Sequence, residues 1–305
     1  MTDLFDLVVA DRRQEASDVV SLTLRSPDGR PLPTWEPGAH IDLALANGLE
    51  RQYSLCGGDT YSWRIAVLRE PDGRGGSEFV HTTLQRGARV RGRGPRNQFP
   101  LEAAPAYRFI AGGIGITPIL PMLDAASPAP WRLLYGGRSR STMAFTDELT
   151  ARHPGGRIVI HEGLLDLRGN LADLRPGELV YACGPASLLQ AVEPLVPAES
   201  LRTERFTPRV VQDSAADTAF EVELARSRRT LPVSADESIL TALLAAGVEI
   251  PFSCTEGICG TCETRVLAGT VDHRDSILSP HEQATGETLM ICVSRARTPR
   301  LTLDL

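Results

Sequence analysis

Four of the six cysteines lie in the last fifth of the sequence, at a spacing that suits an iron–sulfur centre. Cys254, Cys259 and Cys262 form a C-x4-C-x2-C run, and Cys292 follows after 29 intervening residues. This spacing is typical of the four thiolate ligands of a plant-type [2Fe–2S] cluster. Small residues such as Gly257 fill the run, so backbone N–H groups could point at the sulfurs and tune the potential. We therefore predict that these four cysteines are metal ligands.

The cysteine pattern admits two other interpretations. A structural zinc site also takes four thiolates, but zinc ribbons favour paired C-x2-C knuckles, and only Cys259 and Cys262 form such a pair. Buried cysteines also serve as small hydrophobic residues. Chance would not place three of them within nine residues among glycines. Structural zinc remains the alternative to the cluster.

A second group of residues has the chemistry to bind a flavin. In the segment ERQYSLCG, Arg51 offers a planar fork to phosphate oxygens, Tyr53 offers an aromatic face, and Ser54 offers a hydroxyl. On its own the pattern also fits an edge strand with an exposed arginine. A glycine segment, GRGGS, follows at 73–77, where consecutive amides near a helix start could face a phosphate, although an ordinary surface turn has the same composition.

A third segment, AGGIGITP at 111–118, could bind a dinucleotide. It follows the apolar stretch YRFI and precedes a helical pattern. Glycines there permit close approach of the backbone to a pyrophosphate, and the helix N-terminus carries partial positive charge. The segment is not a G-x-G-x-x-G fingerprint, and a tight strand-to-helix turn is the alternative interpretation.

Composition excludes several classes of function. The 305 residues include no lysine, which excludes Schiff-base, pyridoxal phosphate and Walker A chemistry. A net charge of −6 gives no electrostatic basis for binding nucleic acid. No apolar run is long enough for a membrane span and the N-terminal pattern is not that of a signal peptide, so we expect a cytoplasmic protein with reduced thiols.

The pattern along the chain predicts three different modules. Short alternating segments with Gly/Pro turns indicate an antiparallel β-barrel at 1–103. Strands alternating with helices indicate an α/β parallel-sheet nucleotide domain at 104–206. A polar stretch at 207–218 is predicted to be a linker. The block at 219–305 is predicted to begin with a hairpin and a helix, which Ser234 or Asp236 could cap.

The chain as a whole resembles the phthalate dioxygenase reductase family, which fuses an FMN domain, an NADH domain and a plant-type ferredoxin domain. The resemblance is carried by R-Q-Y-S at 51–54, by the glycine loop at 111–118, by C-G-P at 183–185 and by the cysteine run. It implies a multidomain fold: a ferredoxin-reductase-like antiparallel barrel, an α/β parallel-sheet domain and an α+β ferredoxin domain of the β-grasp type.

The resemblance also implies a set of residues for each cofactor. For FMN the implied residues lie on two strands and in the glycine segment: Arg51, Gln52, Tyr53, Ser54, Ala66, Val67, Leu68, Gly73, Arg74, Gly75, Gly76 and Ser77. For NADH they lie at strand ends: Gly113, Gly115, Thr117, Pro118, Arg138, Cys183, Gly184, Pro185, Glu204 and Phe206. For the cluster they are Cys254, Cys259, Cys262 and Cys292. Without the family, Cys183 fits an ordinary buried thiol.

The residues by themselves leave two cofactor choices open: FMN or FAD, and NADH or NADPH. The family's pattern has a basic residue where Leu68 stands, which leaves a phosphate to Arg51, Arg74 and the glycine segment, and we predict FMN rather than FAD. The segment GGRSRS around Arg138 has no acidic residue to bind ribose hydroxyls, so its chemistry also admits NADPH. The resemblance favours NADH.

The six histidines show no metal-binding spacing, so this chain has no Rieske centre or other site to activate oxygen. Its electrons must therefore leave to another protein. The resemblance implies a path from NADH through FMN to the cluster and then, one electron at a time, to a terminal Rieske-type oxygenase. We expect a monomer and a transient complex. The alternatives are an FAD-dependent reductase of another monooxygenase and a zinc protein that senses a dinucleotide.

Overall fold

The computed structural model describes residues 4–46, 48–209 and 217–305. These residues form two separate units, one ending at Glu204 and the other beginning at Arg205. Most of the predicted linker, residues 210–216, lies outside the described residues. None of the six cysteines, all of which are described, forms a disulfide bond in the structure. Among the helices that the structure describes, none has the length and apolar character to cross a membrane.

The first unit starts with a closed antiparallel barrel, whose strands follow the alternating segments of the sequence. Its elements are β1 (Leu4–Ala16), β2 (Val19–Arg25), β3 (Ala39–Ala44), β4 (Glu50–Asp59), β5 (Ser62–Leu68), α1 (Gly76–Thr83) and β6 (Arg89–Asn97). The strand order around the barrel is β1-β2-β5-β4-β3-β6. Leu22, Ile41 and Trp63 fill the interior with no exposed surface, so burial of alternate residues closes the barrel.

A parallel sheet follows the barrel in the same unit. Its elements are β7 (Tyr107–Gly112), α2 (Ile116–Ala125), β8 (Trp131–Gly137), α3 (Thr146–Arg152), β9 (Ile158–Glu162), α4 (Leu167–Leu171), β10 (Leu179–Cys183), α5 (Ala186–Val192) and β11 (Leu201–Glu204). Every residue of β7 is buried, because helices or the barrel cover both faces of the sheet.

The strand order of this sheet, β11-β10-β7-β8-β9, locates a crevice. The chain leaves β7 towards β8 and β9, and then returns to β10 on the other side of β7. The carboxyl ends of β7 and β10 therefore flank the topological switch point, where open α/β sheets bind their ligands. The glycine loop and the C-G-P turn both lie at this point.

The barrel and the parallel sheet share one hydrophobic core. Val19, Cys56 and Ala66 of the barrel pack in the same cluster as Phe109 and Ile119 of the sheet domain. Helix α2 packs directly against β4 of the barrel. The two domains of this unit are therefore held in a fixed relation by buried apolar contact.

The second unit is a mixed five-stranded sheet with the helix and loop pattern of a β-grasp ferredoxin. Its elements are β12 (Phe220–Leu224), β13 (Arg229–Val233), α6 (Ile239–Ala245), β14 (Glu263–Ala268), β15 (Val271–Asp272), α7 (Pro280–Thr285), β16 (Thr288–Met290), β17 (Arg295–Ala296) and β18 (Arg300–Leu303). The order is β13-β12-β18-β14-β16, with β12 and β18 parallel and the other pairs antiparallel; β15 and β17 form a separate pair.

The predicted N-cap of α6 was wrong. The cap is Ser238, whose side chain accepts a hydrogen bond from the backbone N–H of Thr241. Arg295 explains the later start, because its guanidinium donates to the carbonyls of Ser234 and Glu237 at 2.9 and 2.5 Å. Those carbonyls are thereby held in a loop that precedes the helix.

Candidate functional site

The four predicted cluster ligands meet in the second unit. Cys254, Cys259 and Cys262 lie in the loop between α6 and β14, and Cys292 follows β16. The Cys254 side chain contacts those of Cys259 and Cys292, and the Cys262 side chain contacts that of Cys292. Three of these thiols are at least nine-tenths buried, while Cys254 is half-buried. The fold thus brings two distant parts of the sequence together.

The loop that carries the cysteines presents backbone donors to the sulfur of Cys254. The N–H of Glu256 lies 3.3 Å from this sulfur. Hydrogen bonds with the thiols of Cys259 and Cys292, together with the N–H groups of Glu256 and Ile258, hold the pKa of Cys254 well below its usual range. A thiolate is the form that binds iron, so this environment fits a metal ligand.

Close packing explains why the cysteine loop needs glycine. Gly257 has a φ of +67°, and a Cβ there would lie 2.6 Å from the side chain of Val293. A larger residue would push the loop away from the segment that carries Cys292. Among the described residues, no three His, Cys, Asp or Glu side chains are arranged to hold a single metal ion. The four thiols form a linked series of contacts, from Cys259 to Cys254 to Cys292 to Cys262, which suits four ligands shared between two metals.

The predicted flavin residues on β4 lie beside a positively charged helix start. Arg51 donates to the carbonyls of Glu50 at 2.8 Å and Arg74 at 3.3 Å. A Cβ on Gly76, the first residue of α1, would lie 2.7 Å from Cγ and 2.8 Å from Nε of Arg51. Gly76 therefore lets the arginine lie across the N-terminus of the helix. The Arg51 guanidinium and the first amides of α1 thus lie together in an arrangement that fits a phosphate.

Two other features of the barrel bear on the flavin prediction. The amide Nε2 of Gln52 is buried and finds no acceptor among the described residues, so a donor is available on β4. The hydroxyl of Ser77 already accepts the N–H of Glu70 at 3.1 Å. The carbonyl of Val67 is likewise 2.9 Å from Nε2 of His81. Ser77 and Val67 thus shape the loop and the strand end, where Ala66 and Leu68 also lie.

The predicted nucleotide residues lie at the crevice between β7 and β10. Gly113 and Gly115 form a short 3-10 turn after β7, and Thr117 and Pro118 lie in the first turn of α2. A Cβ on Gly115 would lie 2.3 Å from the carbonyl oxygen of Cys183. The two loops therefore touch backbone to backbone, which only glycine permits here. Around Gly113 a Cβ would meet nothing within 4 Å, so this side of the turn is open.

A buried acid group lies at the same crevice. Glu204, the last residue of β11, pairs with Cys183 in the parallel sheet. The Sγ of Cys183 lies 4.0 Å from Oε2 of Glu204. Burial raises the pKa of Glu204 to about 8, although a hydrogen bond with the Ser54 side chain lowers it. Part of Glu204 stays accessible to solvent, but protein surrounds its carboxyl. Burial and the charge of Glu204 raise the pKa of Cys183 well above the usual value, so that thiol stays protonated.

The hydrogen bond between Ser54 and Glu204 joins the two predicted sites. Ser54 belongs to the predicted flavin residues of the barrel, whereas Cys183 and Glu204 belong to the predicted nucleotide residues. The arrangement places the carboxyl end of the parallel sheet against β4. A flavin ring on β4 and a nicotinamide in the crevice would then lie side by side, as direct hydride transfer requires.

The remaining predicted residues lie around the crevice or outside it. Arg138 is exposed at the end of β8, and it forms no hydrogen bond or ion pair with the described residues. Pro185 is the N-cap of α5 and Gly184 precedes it. Phe206 lies in the second unit and is partly exposed. Its predicted contact with the nucleotide stays a prediction.

Sequence reasoning missed two residues that shape the crevice. Tyr135 is fully buried on β8, and its hydroxyl lies 3.2 Å from the carbonyl of Gly113 and 3.1 Å from that of Ala144. Arg64 on β5 forms an ion pair with Glu148 on α3. Neither residue belongs to a motif, and from the sequence both fit ordinary residues of an alternating strand. Only the packing of separate strands reveals them.

Comparison with known proteins supports these assignments at the level of the family. Residues 222–297 match the model described as "2Fe-2S iron-sulfur cluster binding domain". The chain is 44% identical over 304 residues to the phenoxybenzoate dioxygenase subunit beta of Ectopseudomonas oleovorans, covering 95% of this chain and 94% of that one.

Solved structures also match almost the whole chain. One is phthalate dioxygenase reductase, described as a modular structure for electron transfer from pyridine nucleotides to [2Fe–2S]; it is 36% identical, with a TM-score of 0.71, over 99% of this chain and 98% of that chain. Another is an intact type IV self-sufficient cytochrome P450 monooxygenase, 42% identical with a TM-score of 0.91, over 99% of this chain. This chain spans only 41% of that longer protein.

The contact between the two crevice loops leads to a first prediction. Gly115→Ala would place a Cβ 2.3 Å from the Cys183 carbonyl and 2.6 Å from the Gly184 nitrogen, so the loops must separate. We expect the Kd for NAD⁺, measured by equilibrium dialysis, to rise about tenfold or more, which corresponds to about 1.4 kcal/mol. Gly163→Ala is the control for backbone strain alone, because its φ of +83° disfavours a side chain although a Cβ there would meet nothing within 4 Å. Unchanged NAD⁺ binding in Gly115→Ala would contradict the assignment.

The buried carboxyl leads to a second prediction. The pKa of Glu204 in the folded protein, about 8, lies above its ordinary value of 4.5, so folding favours the protonated form. Its contribution to stability is present at low pH and is lost as the pH rises towards 8. Urea titrations at about pH 6 and about pH 9 give the free energy of unfolding at each pH. Between the two, this free energy should therefore fall less for Glu204→Gln than for the wild type. The exposed Glu199→Gln should behave as wild type, and equal losses in all three proteins would refute the prediction.

Proposed function

Because the chain belongs to the phthalate dioxygenase reductase family, we propose which of its residues perform the electron transfer of such a reductase. The protein is an NADH-dependent oxidoreductase with FMN and a [2Fe–2S] cluster, and it is the reductase component of an oxygenase system. We assign FMN to residues 1–103, NADH to 104–206 and the cluster to 219–305. The observation that supports this assignment most strongly is the hydrogen bond between Ser54 of the barrel and Glu204 of the parallel sheet, whose carboxyl also lies against Cys183.

The barrel residues would hold FMN by its phosphate and its ring. Arg51 and Arg74 flank the start of α1, and their charge with the helix amides suits a phosphate dianion. Tyr53 is held by burial on β4, which also raises the pKa of its phenol, so a neutral aromatic face is presented. Gln52 supplies a buried donor. When bound, the flavin accepts two electrons as hydride and releases them one at a time.

The crevice residues would bind NADH and orient its nicotinamide. The open turn at Gly113 and Gly115 admits a pyrophosphate close to the N-terminus of α2. Cys183 is protonated and uncharged, so it would pack against the nicotinamide without attacking the ring as a thiolate nucleophile could. No side chain needs to act as a strong general acid or base. The protein contributes by positioning the dinucleotide and excluding water.

The cluster ligands we propose are Cys254, Cys259, Cys262 and Cys292. The four thiols lie in side-chain contact with one another, and a backbone N–H points at the sulfur of Cys254, which suits four ligands shared between two iron ions. A structural zinc site, the alternative considered from sequence, fits the match to a 2Fe-2S domain less well.

An oxygenase is the partner, and we propose a Rieske-type terminal oxygenase reached through a transient complex by a monomeric, cytoplasmic reductase. From Phe220 to Leu305 the chain has 12 acidic and 8 basic residues, so a basic docking surface on the partner would complement it. A second acceptor class is the haem of a cytochrome P450, because the match to the self-sufficient P450 covers 99% of this chain at 42% identity.

Cofactor content and cluster reduction test the proposal directly. The purified protein should release FMN, not FAD, into acid, and should contain iron and sulfide but no zinc. Anaerobic titration with NADH should bleach the cluster absorption and produce the signal of a reduced [2Fe–2S] centre in electron paramagnetic resonance. Cys259→Ser should abolish that signal while NADH still reduces the flavin.

Cys56→Ser is the matched control, because Cys56 is a buried thiol of the barrel core and not a proposed ligand. It should keep both the flavin and the cluster signal. A cluster that stays oxidised in wild type under excess NADH, or a full signal in Cys259→Ser, would contradict the proposed path.

The acidic ferredoxin unit leads to a salt prediction. With cytochrome c as a basic one-electron acceptor, the second-order rate constant should fall about tenfold as ionic strength rises from about 0.02 to about 0.2 M, because salt screens the attraction. Ferricyanide, a small anion, is the control and should not slow. A cytochrome c rate that is independent of salt would argue against electrostatic steering.

A further inference from the structure

We propose that Arg64, on barrel strand β5, is a positioning residue for NADH: it fixes the segment that follows β8, and this segment receives the adenosine half of the dinucleotide. The segment runs from Arg138 to Glu148 and is called the ribose segment below. The inference rests on the proposed function, because it takes the crevice at β7, β8 and β10 to be the NADH site. It adds a residue from the flavin domain to the recognition of the nucleotide.

The ion pair between Arg64 and Glu148 crosses from the barrel to the nucleotide domain. Both terminal nitrogens of Arg64 lie 2.9 Å from the two carboxylate oxygens, which is the planar, two-point geometry that arginine favours. The side chains are only 22% and 26% exposed, so water screens the pair weakly. Arg64 also donates to the carbonyl of Cys56 at 3.0 Å. The guanidinium is thus bound to the barrel backbone and to Glu148 in the first turn of α3.

The same guanidinium holds a residue with an unusual backbone. Phe145 precedes α3 with a φ of 62°, a left-handed conformation that is rare for an aromatic residue. Its ring is buried, and Cζ of Arg64 lies 5.0 Å from the ring centroid, in range for a cation–π contact. Arg64 therefore contacts both Phe145 and Glu148 at the end of the ribose segment. These contacts support a backbone conformation that the local sequence does not favour.

A second barrel contact anchors the middle of the ribose segment. The backbone N–H and the hydroxyl of Ser17 both donate to the carbonyl of Ser141, at 2.8 and 3.0 Å. Ser141 lies in a short 3-10 turn, Arg140–Thr142. The barrel thus holds the segment at two separate points, while Arg138 at its start projects into solvent without a protein partner among the described residues.

The ribose segment is also connected to the loop that would receive the pyrophosphate. The Tyr135 hydroxyl lies between the carbonyls of Ala144 and Gly113. A shift of the segment would disturb this hydrogen bond and with it the turn at Gly113. Loss of the Arg64 side-chain contacts should therefore weaken dinucleotide binding. It should leave the nicotinamide end of the site, where Cys183 and Glu204 lie, unchanged.

We expect an Arg64 variant to fold, because Glu148 has another positively charged partner. Arg152 on α3 also bonds Glu148, at 3.1 Å, and forms an ion pair with Asp124 on α2. His153 lies 3.5 Å from Asp124. Glu148 therefore keeps one arginine when Arg64 is replaced, and its carboxylate is not left unpaired.

The test compares Arg64→Met with Arg152→Met in the FMN-loaded full chain. Arg64→Met should raise the Kd for NAD⁺, measured by equilibrium dialysis, and the KM for NADH about five- to tenfold, while kcat for ferricyanide reduction changes less than about twofold. Arg152→Met removes the other arginine on Glu148 and no barrel contact, so it should bind NAD⁺ as wild type does. The charge exchange Arg64→Glu with Glu148→Arg should recover part of the affinity that Arg64→Glu loses.

Glu148→Gln is the second variant if Arg64→Met does not fold, and it should raise the Kd for NAD⁺ in the same way. Wild-type Kd in these variants, or an equal rise in Arg152→Met, would overturn the inference. A fall in kcat together with loss of FMN would also overturn it, since that result assigns Arg64 to barrel packing. Failure of NADH to reduce the flavin of the wild type would instead refute the proposed function.

Discussion

The shared core of the barrel and the parallel sheet is the constraint on which the proposed chemistry depends. Hydride transfer requires a nicotinamide and a flavin ring in direct contact, and misplacement by about 1 Å can cost a hundredfold in rate. Val19, Cys56 and Ala66 pack into the core of the neighbouring domain, so the distance between the two binding faces is set by buried side chains. Ser54 bonds Glu204, beside Cys183, as a result of that packing.

Arginine performs every cationic role in this chain, and the structure uses its several donors. Arg51 bonds two carbonyls while it crosses the start of α1. Arg64 bonds a carboxylate with two nitrogens and a carbonyl with one of them. Arg295, buried in the ferredoxin unit, donates to three carbonyls and lies 5.1 Å from the ring centroid of Phe220. A lysine ammonium lacks the planar geometry that these multiple contacts use.

Thiols serve opposite purposes in the two units. Burial and the neighbouring Glu204 raise the pKa of Cys183, which keeps the thiol uncharged beside the proposed nicotinamide site. The hydrogen bonds around Cys254 lower its pKa and favour the thiolate that a metal requires. The same residue type therefore supplies a neutral packing surface in one unit and proposed ligands in the other.

The sequence by itself was enough to predict the three kinds of module and the family, and the comparisons confirmed both. It sufficed because these signals are local: cysteine spacing in one loop, apolar alternation in the barrel strands, and glycines where a strand turns into a helix. It misplaced the cap of α6, because a distant side chain, Arg295, decides where that helix begins. Only the tertiary structure brought Glu204 to Ser54, Tyr135 between two loops, and Arg64 to Glu148 across a domain boundary. Each of these contacts joins different elements of the fold, and its strength depends on burial, which the packing of separate strands creates and no local pattern records.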